Sequence, residues 1–105
     1  HEVKQIVNIQ KNKEEQSRQD IRINVKSAWI RHHEALDRVQ ALILSVRQAE
    51  ENYRIVNNRY LNQLSILTDL LDASSVRLEA ELQLTNARTE AIYSYYQLMH
   101  ACGNL

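Results

Sequence analysis

IRINVKSAWIRHHEALDRVQALILSVRQAEENYRIVNNRY, residues 21–60, repeats its apolar side chains in alternating steps of four and three. The steps select Ile21, Val25, Ala28, His32, Ala35, Val39, Leu42, Val46, Ala49, Tyr53, Val56 and Tyr60, and only His32 breaks the apolar stripe. A 3.5-residue period held over more than about five heptads predicts a long helix in a coiled-coil-like seam, because that period keeps one stripe facing one partner. Trp29, Ile30, Leu36, Ile43, Leu44 and Ile55 widen the stripe toward a second side. A helix apolar on two flanks is expected to have two neighbours.

Upstream, Val3, Ile6, Val7 and Ile9 give way to the polar run Lys11-Asn12-Lys13-Glu14-Glu15-Gln16-Ser17-Arg18-Gln19-Asp20. This stretch has helical propensity but little to bury, so it is expected to be helical with partners and to fray without them. A first helix over about residues 1–61 would span ~90 Å at 1.5 Å per residue.

Downstream, residues 57–65 read NNRYLNQLS, rich in Asn, Gln and Ser, which compete for backbone hydrogen bonds and favour caps and turns. After it the small and apolar residues fall on Ile66, Leu70, Ala73, Ala80, Leu84, Ala87, Ala91 and Leu98, about one residue out of step with the first stripe. One continuous helix would carry that second stripe off its partner, so a turn is expected at about residues 62–65. Ser65 is the expected N-cap of a second helix over about 66–102, with Asp69 near the positive end of its dipole. Gly103 suits its C-cap, since glycine tolerates left-handed backbone. The expected fold is all-α: one long antiparallel helical hairpin over residues 1–105, associating into a bundle when isolated.

Composition agrees with this architecture. The 105 residues include no Pro, no Phe and one Gly, which removes most helix breakers. Thirteen basic and thirteen acidic residues cancel, so no net field draws the chain to nucleic acid or an anionic surface. No apolar run reaches the ~18 residues a membrane helix needs, and His1-Glu2-Val3-Lys4-Gln5 lacks the apolar stretch of a secretory signal, so the expectation is a soluble polypeptide.

Chemistry-bearing constellations are sparse. His32 and His33 point about 100° apart on a helix and cannot readily chelate one ion; His32 reads as a register-fixing interruption and His33 as solvated. Cys102 has no second Cys for a disulfide or a usual zinc site, and reads as a small apolar residue near a helix end. His100 and Cys102 have no nearby carboxylate with which to form a nucleophile, base and orienter set. Tyr93, Tyr95 and Tyr96 lack the basic groove that single-stranded nucleic acid requires and read as packing residues. Asp69 and Asp72, three apart, share one side of the second helix, where helix-dipole stabilisation is the simplest role. No catalytic residue, metal site or cofactor is expected.

An ordered set of motifs adds a resemblance. Ala49-Glu50-Glu51-Asn52-Tyr53, Asn58-Arg59-Tyr60, Leu67-Thr68-Asp69-Leu70-Leu71-Asp72-Ala73, Ala80-Glu81-Leu82-Gln83-Leu84 and Asn86-Ala87-Arg88 resemble, in order and spacing, the outer-membrane efflux protein (TolC-like) family over about residues 20–103. The most specific piece is Arg59-Tyr60 followed by the Asp-Leu-Leu-Asp-Ala of residues 69–73. Where the family usually has a tip Gly this chain has Gln63, and it carries Ser65 where some members have Arg. The resemblance implies a segment excised from a longer, trimeric outer-membrane protein, this part being periplasmic. It implies as partners the helices of the same channel, a periplasmic adaptor and an inner-membrane transporter, which together export drugs or other small molecules. Leu61, Gln63, Leu64 and Ser65 would be the adaptor-contact tip, and Tyr60, Asp69 and Asp72 candidates for the entrance gate. The competing expectation is a helical interaction module, such as an adaptor hairpin or signalling four-helix bundle, with the same heptads and no transport role. Isolated, the chain is expected to self-associate through its seams.

Overall fold

The computed structural model describes residues 2–103, and the expected helix start at residue 1 lies outside them. Two helices account for nearly all of the described chain: α1 over Glu2–Leu61 and α2 over Leu67–Gly103. They pack antiparallel into an all-α hairpin measuring 92 × 16 × 14 Å.

Every position of the 21–60 stripe is buried or half-buried. On α2 the facing positions run Leu70, Ala73, Arg77, Ala80, Leu84, Ala87, Ala91, Ser94, Leu98 and Ala101, again in steps of three and four, each buried or half-buried. Alternate positions of this α2 seam are small, namely Ala73, Ala80, Ala87, Ser94 and Ala101. Ala28, Ala35 and Ala49 of α1 are also buried. Small residues in layers let two helix axes approach closely, so the contact is gained by proximity rather than by bulk. No large side chain is fully buried, and Leu84 at 8% exposure is the largest in the buried core.

Ile66, expected in the seam, is 65% exposed instead. It occupies the N-cap position of α2: its carbonyl accepts from the amides of Asp69 (3.1 Å) and Leu70 (3.4 Å). The chain there has not yet entered helical phase, so the heptad count does not apply to it. Ser65, the expected N-cap, therefore sits one residue before the cap. Gly103 is the last residue of α2 and has no left-handed φ, so it does not end the helix in the expected way. Cys102 is exposed rather than packed.

α2 ends beside Asn24 and Ala28 of α1, where His100 and Ala101 close a groove with them. Residues 2–20 consequently extend past α2 by about 28 Å, and all of them are exposed. The polar run in residues 11–20 coincides with the part of α1 that has no α2 beside it. Among the described residues, no helix is long and apolar enough to cross a membrane.

Candidate functional site at the hairpin tip

α1 stops without glycine or proline by a six-residue backbone motif. The Gln63 amide donates to the Tyr60 carbonyl at 3.0 Å and the Leu64 amide to the Arg59 carbonyl at 2.8 Å. These two bonds, with Gln63 left-handed between them at φ 62°, make a Schellman cap that satisfies the last carbonyls of α1. Glycine usually fills that position, so Gln63 adopts a conformation costing about 1–2 kcal/mol in exchange for a tight, defined turn. Arg59 in the last turn places a cation at the negative end of the α1 dipole.

The turn drives its apolar side chains outward. Leu61 and Leu64 are 69% and 77% exposed, Gln63 is exposed, and Ser65 is half-buried. Tyr60 is half-buried as the last residue of the α1 seam. Asp69 and Asp72 are both exposed, in the first two turns of α2, and neither makes an ion pair among the described residues. The fold thus gathers Tyr60, Leu61, Gln63, Leu64 and Ser65 into one end of the rod, with the two carboxylates one and two turns behind it.

Ion pairs lie elsewhere. Arg38 bridges to Glu90 across the two helices at 2.6 Å. On the outer side of α1, Arg54 makes a forked contact to Glu51. That hydrogen bonding, with the attraction of the Arg54 charge, holds the Glu51 carboxyl below its ordinary value and raises Arg54.

Two polar members of the α2 seam escaped the sequence reading. The Arg77 guanidinium lies 4.3 Å from the Tyr53 ring centre, a cation–π contact that lets a charge occupy a seam position. Ser94, 7% exposed, bonds to His32 Nδ1 at 2.9 Å and donates its hydroxyl to the Ala91 carbonyl at 2.8 Å. Ser94 Oγ thus links His32 of α1 to the backbone of α2. Counting the steps of three and four back from Leu98 and Ala91 would have found both residues; their polarity hid them. His33 stacks on Trp29 at 3.9 Å between ring centres.

Among the described residues no group of three His, Cys, Asp or Glu side chains converges as a metal-ligand set. No protein-family model, curated protein or solved structure matches the chain.

Proposed function

We propose that this hairpin is a segment of a TolC-like outer-membrane efflux channel, forming part of the periplasmic helical tunnel of a tripartite pump that exports drugs or other small molecules. The observation that supports this best is the place of the turn. It falls between Arg59-Tyr60 and the 69–73 motif, the pair on which the resemblance mainly rests. The rod-like length and the apolar side chains left exposed on both helices suit a wall built from several such hairpins.

In this reading the parent protein is a homotrimer of the outer membrane, and its helices, a periplasmic adaptor and an inner-membrane transporter are the partners. Leu61 and Leu64 are the apolar anchors of the adaptor contact, flanked by Gln63 and Ser65. Tyr60, Asp69 and Asp72 line the entrance, where repeated carboxylates concentrate negative potential and favour cations. The segment is a conduit and not an enzyme: it makes and breaks no bond and needs no cofactor.

The test is the full-length parent in planar bilayers. A cation-selective channel is expected, and Asp69→Asn with Asp72→Asn should weaken the selectivity while leaving the trimer intact. A parent that forms no channel would sink the family reading. A channel of unchanged selectivity would remove the gate and leave the aspartates a dipole role of ~0.3–1 kcal/mol each.

A further inference from the structure

The outward side of α2 repeats the period of its inner seam. Steps of four and three lead from Leu71 through Ser75 to Leu78 and Leu82, then through Thr85 and Thr89 to Ile92, Tyr96 and Met99. All are exposed, the six large ones by 54–66%. Thr85 and Thr89 donate their hydroxyls to the Glu81 and Thr85 carbonyls, each at 3.0 Å, so their polar groups are satisfied inside the helix. What remains toward solvent, broken only by the Ser75 hydroxyl, is an apolar stripe about 40 Å long with a 3.5-residue repeat, the shape that accepts another helix. α1 occupies the inner seam and cannot cover it.

Charge beside the stripe indicates which helix. Glu81 and Arg88 border it on one edge, both exposed and neither ion-paired among the described residues. The inner seam supplies the geometry: where His32 meets Ser94 in an antiparallel contact, Arg38 and Glu90, each one step outside the seam, meet as an ion pair. The same geometry can be laid on two α2 helices related by a two-fold axis near residues 83 and 84. It then sets Leu82 against Thr85 of the second copy, Leu78 against its Thr89 and Leu71 against its Tyr96. It also sets Glu81 against Arg88 of the second copy, twice by symmetry. On the other edge Asp72 falls opposite Tyr93 and Glu79 opposite Asn86, so no like charges meet. Because α2 spans Leu67–Gly103, this register overlaps the two helices along nearly their whole length.

We propose that the outer stripe of α2 is the docking surface for a second copy of this chain, packed antiparallel about a two-fold axis and pinned by reciprocal Glu81–Arg88 pairs. The inference stands apart from the channel reading, in which a neighbouring channel helix would take the same stripe.

Cys102 is the sole cysteine and is exposed, so a spin label can be placed on the unaltered chain. In the antiparallel dimer the two labels should lie about 55 Å apart at 1.5 Å per residue, whereas a parallel dimer brings them close together. Sedimentation should show the dimer. Glu81→Arg should weaken it about tenfold, as two attractions become two repulsions, and adding Arg88→Glu should restore it. Both positions lie outside the inner seam, so circular dichroism should show that helicity is kept. A monomer at about 100 µM, a short label distance, or a dimer indifferent to Glu81→Arg would each overturn the proposal; the label distance does so even if a variant fails to fold.

Discussion

Gln63 holds a left-handed backbone, and its side chain makes no hydrogen bond among the described residues. Its amide bond to Tyr60 is a backbone bond that any residue but proline supplies. Gln63→Gly should therefore relieve the strain, less the greater freedom of glycine in the unfolded chain, and raise stability by about 0.5–1 kcal/mol. Urea denaturation at one dilute concentration measures this; a loss of stability would mean that the Gln63 side chain has an unseen role. His32 and Ser94 follow the opposite logic, since each satisfies the other. Ser94→Ala leaves His32 Nδ1 without its partner and should cost about 1–2 kcal/mol, whereas His32→Leu with Ser94→Ala should come back to the original stability or above it. A double variant less stable than Ser94→Ala alone would remove this pair from the account. The bond still specifies register, because sliding α2 by one residue would leave both groups unpaired in the seam.

At the scale of the helices, the uncovered length of α1 divides the molecule into two regimes. Residues 21–61 are held by a partner and residues 2–20 by their own hydrogen bonds alone. Amides of residues 2–20 should exchange far faster than those of the seam, and trypsin should cut first at Lys11, Lys13 or Arg18. Equal protection along α1 would show that something covers the extension. The α1 seam was legible in the sequence because apolar residues mark nearly every step of the period. The α2 seam was mostly legible: alanines and leucines showed it, while Arg77 and Ser94 concealed two steps and Ala101 lay past the last one counted. The outer stripe of α2 went unread because Thr85 and Thr89 look polar until their backbone bonds are seen, and Ser75 interrupts it outright. The tip was legible as a turn from its Asn, Gln and Ser content and, above all, from the phase shift between the stripes on either side. Its cap was not, since nothing local marks Gln63 for a left-handed φ.

For the whole molecule, the governing fact is the thinness of the shared seam, built from alanine and fully burying no large side chain. Such a hairpin draws its stability from length, and each further helix that packs on it adds what its own cross-section lacks. The strict heptad spacing of that seam has a further geometric result. A straight α-helix drifts about 20° per heptad from a 3.5-residue repeat, so staying in contact from Ile21 to Tyr60 requires α1 and α2 to wind left-handedly by roughly 110°. The exposed stripe of α2 must wind with them. Only another rod of the same hand can follow it end to end; a flat surface would touch it along one short arc and then lose it.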